Sequence, residues 1–149
     1  FDEAGLKTDD FMPGTRRKVG DVLLAVHRSY LKPISALMRR VRVRGMAHIT
    51  GGGLLDNVPR VLPAGLGVEI DVGAWKTPPV YRFMREAGNV DREEMYRVFN
   101  MGIGMVVIVR AGDAGEALKI LRRAGERPAV IGRVVRDARR SVKLLYGGN

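Results

Sequence analysis

The sequence predicts an α+β fold in which a mixed β-sheet packs against helices. Segments with the alternating or β-branched pattern of strands are interleaved with segments whose apolar residues recur at the 3.6-residue spacing of helices. Two strand-like segments follow one another at the C-terminal end, and this pair favours a mixed sheet over a purely parallel one. The 149 residues are enough for one domain with a hydrophobic core, and the chain contains no internal repeat.

Five segments carry strand patterns. The third is a nearly continuous β-branched run of the kind found in central buried strands. The last two are separated by Asp137-Ala138, which is compatible with a hairpin. The predicted strands cover residues 45–50, 67–72, 103–109, 130–136 and 142–146.

Helix signals occur in five other segments. Pro33 suits the first turn of a helix because its missing N–H is not needed there. Pro59 is expected to end or kink the helix that follows the glycine run, and Gly125 should stop the last helix. The predicted helices cover residues 33–41, the glycine run to about 61, 78–87, 92–99 and 113–124.

The first thirty residues carry weaker signals. Residues 1–20 are polar and rich in turn formers, so we expect a connecting segment there, with residues 21–149 as the folded domain. Residues 21–30 include an apolar run that is too short for its periodicity to distinguish a helix from a strand.

The composition excludes several kinds of site. A chain without cysteine has no disulfide or thiolate metal site, and its two histidines, His27 and His48, lie in no ligand-spaced cluster, so no metal site is predicted. No apolar run reaches the roughly 18 residues of a membrane span. No secretory signal is visible, which makes the cytoplasm the default expectation for localisation.

The charge of the chain favours anionic partners. The formal net charge is +10, which attracts nucleotides and phosphorylated metabolites. Nucleic acid is not the expected partner, because the arginines are scattered and lack the interleaved aromatic residues of a single-strand binder.

The strand-to-helix segment of residues 47–57 carries the strongest functional signal. Its Gly51-Gly52-Gly53 run has no Cβ atoms, which lets a ligand approach the backbone closely. The helix start adds unpaired N–H groups and the positive end of the helix dipole, so the expected ligand is an anion such as phosphate. His48 and Thr50 are two residues apart on the strand and face the same side, and Asn57 falls near the same mouth.

Structural explanations compete with a ligand in this segment. The glycines could form only a tight turn, His48 could be a buried histidine with satisfied hydrogen bonds, and Asp56 or Asn57 could only cap the helix. The convergence of polar side chains with glycine amides favours a ligand-binding site.

Two further segments hold candidate binding residues. Asn100 precedes the β-branched strand, where its amide could hydrogen-bond both a ligand and the backbone. Gly102 and Gly104 could serve close packing instead. Arg28 could offer its guanidinium to a phosphate or be an ordinary solvent-exposed arginine. The catalytic residues are left unassigned.

Three longer runs of sequence carry a family resemblance. They are Met46-Ala47-His48-Ile49-Thr50-Gly51-Gly52-Gly53-Leu54 with Pro59-Arg60-Val61-Leu62-Pro63, Ala87-Gly88-Asn89-Val90 with Glu94-Met95-Tyr96-Arg97, and Phe99-Asn100-Met101-Gly102-Ile103-Gly104-Met105. They resemble phosphoribosylformylglycinamidine cyclo-ligase, also called aminoimidazole ribonucleotide synthetase. The resemblance extends from about residue 23 to residue 142 and covers only the C-terminal domain of that family. One departure is His27, which stands where the family usually has threonine.

The resemblance implies the substrate-side domain of an ATP- and Mg²⁺-dependent enzyme. The family enzyme converts formylglycinamidine ribonucleotide to aminoimidazole ribonucleotide in purine biosynthesis, and its N-terminal domain carries the ATP and metal motifs and forms a homodimer. Those motifs do not occur in this sequence, so we expect that domain as a partner, no cofactor on this chain alone, and no activity of the isolated chain. The substrate-binding residues that follow are Arg28, His48, Thr50, Gly51, Gly52, Gly53, Asn57 and Asn100.

Two other classes of function remain open. One is another member of the same ATP-dependent superfamily, such as the selenophosphate or hydrogenase-maturation enzymes, whose glycine-loop flanks differ from His48-Ile49-Thr50. The other is a non-catalytic module that binds phosphate or nucleic acid.

Overall fold

The computed structural model describes residues 1–147 and contains two β-sheets with helices packed against them. The strands are β1 (Gly45–His48), β2 (Leu66–Asp71), β3 (Met105–Ile108), β4 (Gly132–Arg136) and β5 (Val142–Leu145). The α-helices are α1 (Val19–Leu23), α2 (Leu31–Met38), α3 (Gly53–Asn57), α4 (Pro79–Ala87), α5 (Arg92–Val98) and α6 (Ala114–Arg123). Short 3₁₀ helices occupy Asp2–Ala4, Pro59–Val61 and Ala111–Asp113. The predicted α+β class is confirmed.

Mixed pairing occurs in a three-stranded sheet. β2 lies in its centre, antiparallel to β4 and parallel to β5, whereas β1 pairs with β3 in a separate antiparallel sheet. The register places Glu69 of β2 opposite Arg133 on one side and Lys143 on the other. The strands are therefore divided between two sheets, and only one of them is mixed.

β4 and β5 do not form the predicted hairpin, because they lie on opposite edges of β2. Their connection crosses the start of β2, where the Asp137 amide donates to the Gly65 carbonyl at 2.9 Å and the Val68 amide donates to the Ser141 carbonyl at 3.0 Å. Gly67 permits this crossing, since a Cβ there would lie 2.7 Å from the Ser141 carbonyl oxygen. The hairpin prediction is wrong because this tertiary contact decides the pairing, and the turn sequence does not.

β3 is not the central buried strand that its β-branched run suggests. Within residues 1–147 it pairs only with β1, and its four residues are half-buried. Alternate side chains serve different hydrophobic clusters, because Val106 and Ile108 pack on the main core while Val107 packs beside α2 and α6. This prediction is wrong because strand propensity reports the local backbone, while burial depends on what covers each face.

The main core holds the glycine turn in place. Leu54 of α3 and Met95 of α5 are fully buried, and Ile49, directly before the turn, is 2% exposed. All three belong to one hydrophobic cluster. A smaller cluster joins α2 to α6 through Leu37 and Ile120. Both ends of the turn are therefore anchored by buried apolar side chains.

Proline and glycine mark the helix boundaries as predicted. Pro33 lies in the first turn of α2, and Pro59 begins the 3₁₀ helix just after α3. Gly125 follows α6 with a φ of +85°, which a residue with a Cβ rarely adopts.

Residues 1–20, predicted to be a connecting segment, contribute side chains to the interior. Met12 and Val19 are 0% and 1% exposed, and the ring of Phe1 stacks on Phe83 with 5.4 Å between centroids. The domain boundary at residue 20 stays a prediction, and the other predicted limit, residue 149, lies outside the described residues.

The apolar run of residues 21–30 is only partly helical. α1 takes in its first residues, and the chain then runs without regular secondary structure to α2. Leu24 and Val26 are 84% and 96% exposed there. Across residues 1–147, no helix is long and apolar enough to cross a membrane.

Candidate functional site

The three glycines of the turn have different structural roles. Gly52 and Gly53 have φ values of +93° and +53°, a left-handed conformation that glycine adopts at little cost. A Cβ on Gly53 would overlap the carbonyl oxygen of Tyr96, so this glycine lets α3 approach the end of α5. Gly51 has an ordinary φ, and nothing lies within 4 Å of where its Cβ would be. Only Gly51 therefore faces open space.

Asn57 braces the turn from inside. Its side chain is 6% exposed, and Nδ2 donates to the carbonyl oxygens of Gly53 at 2.8 Å and Gly51 at 3.1 Å, with a longer contact of 3.4 Å to Thr50. These bonds fix the backbone of the turn. Asn57 thus lies beneath the predicted mouth and positions the residues that form it.

The outer surface of the turn carries the predicted polar residues. His48, Thr50 and Gly51 are exposed, while Ile49 between them points into the core. Within residues 1–147 the amides of Gly51 and Gly52 donate to no acceptor, so both are free to bind a ligand. α3 has only five residues, so its dipole adds less than the sequence suggested. The ligand contacts must come mainly from amides and side chains.

Two aromatic residues that the site prediction omitted pack against His48. The ring centroid of His27 lies 5.4 Å from that of His48, and the ring centroid of Tyr30 lies 6.0 Å from it. The Tyr30 hydroxyl lies against Gly104, where any Cβ would overlap it. Gly104 therefore gives Tyr30 the space to reach β1. The spacing of residues 27–30 gives no sign of this long-range contact.

The Tyr30 hydroxyl stays protonated at neutral pH. Burial raises the pKa of Tyr30 above its usual value, the negative charge of Glu126 raises it further, and Arg28 opposes both. Tyr30 therefore offers the site an uncharged hydroxyl and an aromatic ring.

Arg28 is engaged in an ion pair. Its Nη1 lies 2.5 Å from Oε2 of Glu126, with the two side chains 56% and 19% exposed. The structure therefore brings the segment that carries Arg28 to the glycine turn, while the guanidinium itself binds a carboxylate next to α6.

Asn100 holds the neighbouring loop together. Its Oδ1 accepts hydrogen bonds from the Tyr81 hydroxyl at 2.6 Å and from the Gly102 amide at 2.9 Å. Gly102 has a φ of +97°, and a Cβ there would lie 2.5 Å from Cδ of Pro78, so this glycine serves close packing. Burial raises the pKa of Tyr81, which keeps this hydroxyl a hydrogen-bond donor.

The loop of residues 99–104 lies next to the glycine turn, but the outer face of the turn lines no cleft that the loop lines. The Ile49 amide donates to the Gly104 carbonyl at 2.9 Å, which ties the loop to the end of β1. An apolar cleft of about 690 Å³ runs along β3 and α6 with Tyr30 at its edge, and a cleft of about 420 Å³ beside α4 and α5 is lined by Arg82, Arg85 and Arg92. The outer face of the glycine turn lines neither cleft, so the candidate site is an open surface. Residues 1–147 contain no group of three or more side chains suited to hold a metal ion.

The fold and this turn define the chain as an α+β domain with an exposed glycine loop between β1 and α3. A family model described as AIR synthase related protein, C-terminal domain, matches residues 2–144. The chain therefore belongs to this family and corresponds to its C-terminal domain. The resemblance read from the sequence is confirmed.

Several curated relatives that match this chain carry the name of a cyclo-ligase. The chain is 50% identical to phosphoribosylformylglycinamidine cyclo-ligase of Aromatoleum aromaticum over 133 residues, which is 88% of this chain and 38% of that protein. It is 53% identical to the enzyme of the same name from Burkholderia pseudomallei, over 79% of this chain and 34% of that protein. The chain thus spans little more than a third of the length of these relatives.

A more distant protein shares the fold. The crystal structure of Escherichia coli HypE, a hydrogenase maturation protein, superposes with a TM-score of 0.62 at 22% identity, covering 85% of this chain and 41% of that one. At this identity the likeness concerns the fold alone.

Proposed function

We propose that this chain is the substrate-side domain of a phosphoribosylformylglycinamidine cyclo-ligase and that it binds formylglycinamidine ribonucleotide on the outer face of the glycine turn. The observation that carries the proposal is the exposed row of His48, Thr50 and Gly51, with free amides at Gly51 and Gly52. The cyclo-ligase names of relatives at 43–53% identity support the choice of substrate.

The proposed binding residues divide into two layers. His48, Thr50 and the free amides of Gly51 and Gly52 contact the substrate, because they lie on the outer face of the turn. Asn57 holds the glycine turn and Asn100 holds the loop of residues 99–104 through the hydrogen bonds described above. Arg28, paired with Glu126, fixes the segment that carries it beside the turn. No general base is assigned among them.

ATP, Mg²⁺ and the dimer belong to the longer protein in this proposal. The relatives extend over more than twice the length of this chain, and ATP-dependent ring closure needs a phosphoryl donor site that we place in that additional length. The described residues hold no set of metal-ligating side chains into which Mg²⁺ would fit, so no step is assigned to the metal on this chain. We expect the purified 149-residue chain to show no ATP-dependent turnover, a homodimer only in the longer protein, and a cytoplasmic location.

Gly51→Val tests the binding surface without disturbing the fold. Nothing lies within 4 Å of the new Cβ and the φ is ordinary, so the variant should fold, while its side chain covers the turn amides. We expect binding of formylglycinamidine ribonucleotide, measured by calorimetry, to weaken at least about tenfold. Gly112→Val is the matched control, because its Cβ also meets open space but lies away from the turn. Equal affinity of both variants and the wild-type chain would contradict the proposal.

A polyanion-binding module is the competing function, and the net charge of +10 supports it. Titration with an unrelated oligonucleotide across a salt series separates the two. A non-specific binder loses affinity steeply as salt rises, because each phosphate contact releases counterions. Ribonucleotide binding that survives moderate salt, with weak oligonucleotide binding, is the result we expect.

A further inference from the structure

We propose that His27 is a second substrate-binding imidazole and that, together with His48, it recognises the phosphate of a phosphorylated ribonucleotide. The inference rests on the proposed function, since it adds a residue to the same surface. It concerns His27, which the set of binding residues given above does not include.

The geometry brings His27 to the site from a distant part of the sequence. Its ring meets that of His48 edge-on, at 84° and 5.4 Å between centroids, and Tyr30 closes a three-ring cluster at 6.3 Å from His27 and 6.0 Å from His48. Both histidines are exposed, whereas Tyr30 is half-buried against Gly104. Tyr30 therefore anchors the segment and leaves the two imidazoles facing solvent side by side.

The arginine that follows His27 in the sequence does not supply the attraction for an anion. Arg28 is paired with Glu126 at 2.5 Å, so the two charges largely cancel. The Tyr30 hydroxyl is uncharged at neutral pH, because burial raises its pKa. The imidazoles of His27 and His48, by contrast, are exposed and carry ring N–H groups that can donate to phosphate oxygens.

A carboxylate next to the turn adds to the need for hydrogen-bond donors at the site. Asp56 is exposed and lies next to Gly52, where an added Cβ would be 2.8 Å from Cβ of Asp56. A phosphate at the turn amides meets the repulsion of this carboxylate. Hydrogen bonds from His27 and His48 to the phosphate offset this repulsion.

Two adjacent imidazoles suit a phosphate group in particular. Each imidazole donates through a ring N–H, and a phosphate offers several acceptor oxygens with more than one negative charge near pH 7. The two rings, with 5.4 Å between their centroids, are close enough to donate to oxygens of one phosphate group.

The test compares the ribonucleotide with its dephosphorylated ribonucleoside on the full 149-residue chain. Affinities of wild type, His27→Phe and His27→Ala are measured by calorimetry at one fixed pH. We expect both variants, which have no side-chain N–H donor at this position, to bind the ribonucleotide about tenfold more weakly than wild type. The ribonucleoside affinity should not change.

The outcomes distinguish this inference from the proposed function. If wild type binds the ribonucleotide and both variants match its affinity, the role of His27 is overturned while the proposed function stands. If the variants lose affinity for the ribonucleoside and the ribonucleotide equally, His27 does not contact the phosphate and the inference is wrong. Absence of ribonucleotide binding by the folded wild-type chain overturns both.

Discussion

Two glycines of the same turn should differ strongly in their response to a single added methyl group. Gly53→Ala forces a Cβ into the carbonyl oxygen of Tyr96 at a φ of +53°, so α3 can no longer pack against α5 as it does. We expect the free energy of unfolding to fall by at least about 3 kcal/mol. The added Cβ of Gly51→Ala has no atom within 4 Å, so this variant should change the free energy of unfolding by less than about 0.5 kcal/mol.

Urea denaturation of the two variants and wild type measures this difference. The comparison is matched, because both changes add the same methyl group within three residues of the same turn. Similar unfolding midpoints for Gly53→Ala and Gly51→Ala would show that the close approach of α3 and α5 is not needed for stability.

Among the individual residues of the site, some positions can be predicted from the sequence and others cannot. The common orientation of His48 and Thr50 follows from the two-residue period of a strand, so it could be read locally. Asn57 is different, because α3 ends at that residue and its amide turns back to the carbonyls of Gly51 and Gly53. The contact of His27 with His48 joins residues 21 positions apart, and no local pattern reports it.

At the level of elements, an ion-pair row crosses the three-stranded sheet and responds to pH. Oε2 of Glu69 in β2 accepts a hydrogen bond from Nε of Arg133 in β4 at 2.9 Å and lies 2.8 Å from Nη2 of the same arginine. Oε1 of Glu69 lies 3.6 Å from Nζ of Lys143 in β5. The hydrogen bond from Arg133 is the main reason that the pKa of Glu69 is lowered; burial opposes it, and the charges of Arg133 and Lys143 add to the lowering. A lowered pKa in the folded state favours folding above the unfolded-state pKa, and this contribution is lost as the pH falls through the folded-state pKa.

We therefore expect the free energy of unfolding to decrease between pH 6 and pH 3, and Glu69→Gln to make this decrease smaller. Urea titrations at several pH values measure the slope. Part of the slope should remain in the variant, because hydrogen bonds from Ser141 and the Arg139 amide lower the pKa of Asp137 as well. Glu116→Gln, an exposed change in α6, is the control. A slope that is the same in wild type and both variants would refute the role of the row.

Helix ends and strand pairing differ in how far they can be predicted. Pro59 and Gly125 act on their own backbone, so the boundaries beside them follow from the sequence. The placement of β4 and β5 on opposite edges of β2 depends on the close approach of Ser141 to Gly67, which joins residues 74 positions apart. Composition alone shows neither this contact nor the division of the strands between two sheets.

For the whole molecule, the first twenty residues decide where the folded domain begins. Residues 1–20 read as a polar connection, yet Met12 and Val19 lie in the interior and Phe1 stacks on Phe83. The turn formers in this segment describe its local conformation, whereas the burial of Met12 and Val19 depends on the residues that pack over them. A family match that begins at residue 2 is consistent with a domain that includes the segment.

Met12→Ala tests whether this segment is part of the folded unit. Removing a side chain that is 0% exposed should lower the free energy of unfolding by about 2–5 kcal/mol, because a cavity remains in its place. Val26→Ala is the matched control, since Val26 is 96% exposed and its loss should cost less than about 0.5 kcal/mol. If urea unfolding of the 149-residue chain is equally insensitive to both changes, residues 1–20 are a tether and the domain begins near residue 21. A large effect of Met12→Ala alone places the start of the domain before residue 12, so that a fragment cut at residue 20 would lack part of its own core.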